Sequence, residues 1–265
     1  MRAWTGDLTV LVIPGTALLL EGVDHREPTA MREFRTALHR RLGRAQTWRV
    51  AVPNGPVPPL LSLGGLGIGV GVRIDRTEGG CVVDPSSVLT GEDLAVEVRR
   101  LRADGSTAAA RDCEIPIGVA VAVLVALEAS RTVRLVPTSP ARLPLTAGQT
   151  EPLLVPIDFS GAAHPDAPLE RRPGAAEFDD RLERALTGPI DTSVLAILHG
   201  ETDAAAACTD ALAAVDLAGA HGTAVAAVDV HHVRYRLIAV DPAEAVPEAS
   251  GTRVGRMAQS AKQRA

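Results

Sequence analysis

Asp158, Ser160, Gly161 and His164 follow one another at the end of an apolar run made of Leu153, Leu154, Val155 and Ile157. A carboxylate and a hydroxyl at such a point can orient a polar ligand. A histidine three residues past Gly161 can hold a metal ion or move a proton. The bland account of Asp158 and Ser160 is local, because both residue types also satisfy backbone N–H groups in loops. His164, before Pro165, reads more simply as a solvated loop histidine. Glu114 beside Cys113 is a further acid/base candidate, and a cap for the helix that follows accounts for it more simply. Cys113 has no neighbouring His or Lys to lower its pKa, so it is not read as a nucleophile. His231 and His232 look like a metal pair, yet neighbours on a strand point to opposite faces. A turn between two strands explains them better. No Gly-x-Ser-x-Gly elbow, Walker lysine loop or HExxH is present.

The elements that must position these residues can be read from periodicity. Leu8 to Ile13 is an expected strand, stopped by Pro14, Gly15 and Thr16. Thr29 to Leu42 carries Met31, Phe34, Leu38 and Leu42 at helical spacing, and Trp48 to Val52 returns as a strand. Strand, helix, strand implies a right-handed crossover. From Leu63 to Ile74, glycines alternate with Leu, Ile and Val; no GxGxxG frame fits, and one face of a strand stripped for close packing is expected. Ile115 to Ala129 is apolar nearly all round and reads as a buried helix, with a short strand at Val133 to Val136. The 152–158 run reads as a buried strand, whose carboxyl end is where open α/β sheets place ligands. A Pro- and Gly-rich loop then leads to a helix from about Ala175. There Glu177/Arg181 and Asp180/Arg184 are spaced for acid-first pairs on an exposed face. Asp191 caps a short helix to Leu198, and Thr202 to Leu217 reads as another. His221-Gly222 reads as a helix stop, and Val225–230 and 233–240 as two strands. From Pro242 onward the composition is that of a disordered tail. Alternating strands and helices predict one α/β domain over 1–241, a three-layer α/β/α sandwich around a mostly parallel or mixed sheet.

Composition narrows the functional classes. Hydrophobic residues make up 46% and charged residues 22% of the 265, enough to bury a full core. Aromatics are 2%, which argues against stacking on single-stranded nucleic acid, and a net charge of −5 argues against duplex binding. Three scattered cysteines suggest neither a disulfide framework nor a zinc knuckle and fit a reducing cytoplasm. No segment reaches the roughly 18 unbroken apolar residues that span a bilayer, so no membrane partner is expected.

Several of these pieces together resemble the class III extradiol ring-cleavage dioxygenases of the subunit-B-like kind, in their alanine-rich actinobacterial form. Leu11 to Gly22 resembles the family's opening strand and proline turn, and Phe34 to Leu38 with Trp48 to Val52 its first helix and second strand. Leu63 to Val72 is similar to its glycine-rich strand region. Asp158-Phe159-Ser160, Pro165-Asp166-Ala167-Pro168 and Glu177-Phe178-Asp179 are similar to its D-x-S…P-D-A-P…E-F-D pattern. The resemblance implies an α/β fold and a non-haem iron(II) held by two histidines and a carboxylate. Two of the positions it assigns to histidine ligands are Gly15 and Gly161, and where the family keeps its acid/base histidine the chain reads Asp112-Cys113-Glu114.

Three readings follow. In the first, the chain is a degenerate member without iron or ring cleavage, keeping a pocket around Gly15, Thr16, Asp158, Ser160 and Gly161 for a small polar or aromatic molecule or a partner. In the second, His164, Glu114 and Asp158 hold a divalent metal, iron(II) included, in rearranged form. In the third, the chain is a non-catalytic subunit of a homo-oligomer.

Overall fold

A computed structural model describes residues 10–23, 28–53, 57–77, 80–103, 117–138, 142–144 and 151–241. Glu114, with Asp112 and Cys113, and the expected tail from 242 to 265 lie outside the described residues. The strands are β1 (Val10–Pro14), β2 (Thr47–Pro53), β3 (Leu60–Ser62), β4 (Val70–Arg73), β5 (Asp75–Thr77), β6 (Gly80–Val83) and β7 (Val88–Thr90), followed by β8 (Thr132–Thr138) and β9 (Leu143–Pro144). β10 (Leu153–Ile157), β11 (Gly188–Pro189), β12 (Val215–Asp216), β13 (His221–Val230) and β14 (Val233–Asp241) complete them. The helices are α1 (Thr29–Leu42), α2 (Gly91–Ala103), α3 (Ile117–Glu128), α4 (Ala175–Leu186), α5 (Thr192–Ala205) and α6 (Asp210–Ala213).

Nine strands form the main sheet, in the order β11-β13-β14-β1-β10-β2-β8-β6-β5. β1, β10, β2 and β8 run parallel at its centre, and the flanking pairs are antiparallel, so the sheet is mixed. β1 and β10 are buried on both faces and β2 from Val50 onward, while β8 buries Val133 and Leu135 on one face; period-two alternation sends successive residues to opposite layers. Leu11 and Ile13 pack with α1 and α3, while Val10 and Val12 pack with α4, α5 and α6. The three-layer α/β/α architecture is therefore present. Every residue of α3 from Gly118 to Leu127 is buried, because the helix lies between the sheet, α1 and the small sheet β3-β4-β7. A helix covered all round has no polar face to expose.

Several expectations are corrected. The glycine run is not one strand: Gly64–Leu66 is a 3-10 turn closed by Gly67 at φ +74°, and only Gly71 lies in β4. A Cβ at Gly71 would come 2.8 Å from Leu94 and 2.9 Å from the Leu61 carbonyl, so close packing holds there, while Gly67 and Gly69 face nothing within 4 Å. α5 runs on through Thr202 to Ala205, where Ala206 turns left-handed at φ 53° and ends it. Beyond it the expected helix is only the four residues of α6. His221 and Gly222 lie in β13 rather than at a helix end, since Gly222 is where the strand crosses the end of α4. A Cβ there would sit 1.8 Å from the Leu186 carbonyl oxygen.

Acid-first pairs within α4 do not form as spaced. Arg181 pairs with Glu201 of α5 at 2.7 Å, and Asp180 with Arg234 of β14 at 2.6 Å. An exposed i,i+4 pair contributes only a few tenths of a kcal/mol, about 0.3–0.5, so partners on neighbouring elements displace it. The hairpin turn expected at His231-His232 is there, with both residues at positive φ, 50° and 61°. Among the described residues no helix is long and apolar enough to cross a membrane.

Candidate functional site

The carboxyl ends of β1 and β10 lie side by side, because Pro14 pairs with Ile157. The next residues, Gly15 and Asp158, therefore meet. Gly15 N–H donates to the Asp158 Oδ1 at 3.0 Å and to the Ile157 carbonyl at 2.8 Å. From the other side, the first turn of α3 presses Gly118 against Gly15. A Cβ on residue 15 would lie 2.8 Å from Asp158 Oδ2 and 2.9 Å from the Gly118 Cα. No imidazole fits at position 15 without displacing α3 or Asp158.

Asp158 is partly exposed as a residue, while protein closes around its carboxyl. Burial raises that carboxyl from its ordinary 3.8 to about 6, against the opposing pull of the Gly15 N–H. Two backbone bonds to Cys208 hold the residue in place, Asp158 N–H to the Cys208 carbonyl at 2.8 Å and Cys208 N–H back at 3.1 Å. β14 runs antiparallel to β1 with Val12 opposite Ile238, and continuing that register brings Tyr235 level with Gly15. The Tyr235 hydroxyl faces the Thr16 side chain, and burial, with Asp158 nearby, lifts it to about 12. Thr16, Asp158 and Tyr235 thus form a small polar group at the carboxyl edge of the central strands. The Cys208 thiol beside it is lifted to about 11, first by burial, and is no nucleophile at neutral pH.

Ser160 and Gly161 do not belong to this group. Ser160 is fully buried on the α4 side. Its hydroxyl bonds the Ala205 carbonyl and accepts Ala162 N–H at 3.0 Å, and its own N–H donates to Asp179 Oδ1 at 2.7 Å. Gly161 is covered by Leu169, whose Cδ1 would sit 3.1 Å from a Cβ there. Both serve the loop that leads from β10 to α4, the local role that Asp and Ser residues often take. Asp179 is buried, its Oδ2 has no hydrogen-bond partner, and burial raises its carboxyl to about 6.

His164 is exposed and turned to the β13–β14 hairpin. Its ring stacks on His232 with centroids 4.1 Å apart and planes 9° from parallel. Asp166 joins them, and one ligand atom from each of the three lies within 4.8 Å of the others. His199 bonds Thr209 Oγ1 at 2.9 Å, away from any such group.

A cavity of about 620 Å³ opens elsewhere, lined by Leu20, Val23, Ile68, Leu124 and Glu128 among others. It lies by the far end of α3, some ten residues or about 15 Å along the helix from Gly118. Gly67 and Gly69 form part of its wall.

Sequence reasoning missed Tyr235, Gly118 and His232 as site neighbours. Each comes from a distant segment: β14 pairing with β1 brings in Tyr235 and the hairpin of His232, and α3 packing on β10 brings in Gly118.

The two buried carboxyls make a pH prediction. Asp158 and Asp179 bind their protons more tightly folded than unfolded, so their stabilising contribution is complete below about 3.8. It is lost as pH rises through about 6. A shift of this size corresponds to roughly 2–3 kcal/mol per group. Asp158→Asn should therefore unfold at higher urea than wild type near neutral pH, with a flatter dependence between about pH 4 and 6. Identical pH slopes for the two proteins would mean that Asp158 is an ordinary solvated carboxylate.

No family model matches this chain, and no curated protein matches it closely enough to count as a relative.

Proposed function

We propose that the chain is a binding protein for a small polar or aromatic molecule, of the extradiol dioxygenase subunit-B-like kind but without its iron chemistry. The observation that carries this reading is the Gly15–Asp158–Gly118 contact. It leaves no room for a ligand side chain at position 15, and it sets a protonatable carboxyl at the carboxyl edge of β1 and β10 instead. The residues present do not fit an iron(II) centre in the family's arrangement, since positions 15 and 161 are bare and each is closed over by a neighbour.

What remains is recognition chemistry. A carboxyl whose proton exchanges near pH 6 can donate to a ligand oxygen or accept from a ligand hydroxyl or amine. The Thr16 and Tyr235 hydroxyls beside it add a donor and an acceptor. An aromatic or otherwise flat apolar body would lie over the buried walls while its polar group reaches Asp158.

A thermal-shift screen of phenols, catechols, hydroxy acids and small amines tests this. At least one should raise the melting temperature, and Asp158→Ala should remove the shift while leaving the protein folded. A ligand whose shift survives Asp158→Ala binds elsewhere and ends this assignment.

A further inference from the structure

We propose that His164, Asp166 and His232 form a binding site for a zinc-class divalent cation, which fastens the β13–β14 hairpin to the loop after β10. The three residues come from two segments far apart in the chain, yet each places a ligand atom within 4.8 Å of the others. Two imidazoles and a carboxylate suit a borderline cation such as Zn²⁺. They suit Mg²⁺ and Ca²⁺ poorly, since those ions take oxygen donors almost exclusively. Asp166 N–H donates to His164 Nδ1 at 3.1 Å, so the lone pair of that nitrogen is already engaged and a cation there must displace the bond, as rotation of the ring would. The Asp166 carboxylate lies 3.7 Å from the same nitrogen.

Backbone geometry at the hairpin points the same way. A two-residue turn with both residues at positive φ calls for Asn-Gly or a near relative. Here the turn is His231-His232, at φ 50° and 61°, and histidine adopts that region at a cost. The strained turn is what carries the His232 ring onto His164, and strain held at such a point is a signature of function. Two parallel rings cannot both point in-plane lone pairs at one ion, so one ring must rotate on binding. His164 and His232 are exposed, so rotation gives up only their mutual stacking and the Asp166 N–H bond to His164. A fourth position is left for water.

The test uses the untagged full chain, stripped with chelator, and isothermal titration with Zn²⁺ and separately with Mg²⁺. One Zn²⁺ should bind per chain and raise the melting temperature, with no response to Mg²⁺. His232→Asn is the informative variant, since asparagine tolerates the left-handed conformation and keeps the turn. It should stay folded and lose Zn²⁺ affinity by more than the 10–100-fold that removal of an outer-shell partner costs. His164→Asn should do the same from the other segment. Absence of Zn²⁺ binding, equal binding of Mg²⁺, or undiminished binding in both variants would each overturn the proposal.

Discussion

Gly15→His, which puts an imidazole where the resembled family carries its first ligand, should severely destabilise the protein rather than create a metal site. Even alanine is too large here, because its Cβ would lie 2.8 Å from Asp158 Oδ2 and 2.9 Å from the Gly118 Cα. The Asp158 carboxylate would have to give up the Gly15 N–H at 3.0 Å to swing away. Gly118 cannot retreat without moving α3, whose residues from 118 to 127 are all buried. Overpacking of this kind costs about 1–3 kcal/mol for a methyl group, so Gly15→Ala should lose about 2–3 kcal/mol and histidine more. Gly118→Ala meets Gly15 Cα and Pro156 Cβ at 3.2 Å and should lose less. Urea unfolding of the alanine variants measures both losses. A Gly15→Ala protein as stable as wild type would mean that the crevice is open at that point.

Glu183→Ala should be nearly as damaging, through the hairpin. Glu183 on α4 receives Arg236 at 2.6 Å and Arg234 at 3.2 Å, and Arg236 also reaches Asp229 at 2.7 Å. Arg236 is only 8% exposed. Removing one partner of a buried pair leaves a charge without compensation, which costs about 3–5 kcal/mol when burial is complete. Asp229 remains, and Glu183 is itself partly exposed, so roughly 2–3 kcal/mol is expected after screening. Glu183→Gln keeps an acceptor for the guanidinium and should recover about half of that loss. The same contacts hold β14 against α4, so Glu183→Ala should also weaken any ligand response that depends on Tyr235. A loss below about 0.5 kcal/mol, typical of surface substitutions, would show that the arginines are held by other contacts.

Local patterns predicted the parts of the fold that depend on local physics. The helical spacing of Met31, Phe34, Leu38 and Leu42 predicts α1, and all four are buried in it. The unbroken apolar run at 119–127 predicts a helix covered on every side, and α3 is one. The run before Asp158 predicts a strand buried on both faces, and β10 is one. What sequence does not carry is the pairing of distant strands. Tyr235 meets Thr16 only because β14 adds antiparallel to β1, and nothing in either segment alone specifies that neighbour. Ser160 illustrates the limit at the site itself. An Asp-x-Ser after a strand looks the same whether the hydroxyl faces a ligand or, as here, the Ala205 carbonyl 45 residues on. The alanine-rich stretch from Thr202 to Leu217 reads as one helix on propensity. The turn at Ala206, and the bridge of Cys208 to Asp158, override it.

The most direct test of the account is anaerobic loading of the His232→Asn protein with iron(II), followed by desalting, metal analysis and exposure to catechol in air. With His232 removed, the His164–Asp166–His232 cluster is incomplete, so stoichiometric iron would point to Asp158 instead. The account predicts protein that keeps no stoichiometric iron and gives no ring-opened product. One iron per chain together with the absorbance of a ring-opened catechol would contradict it.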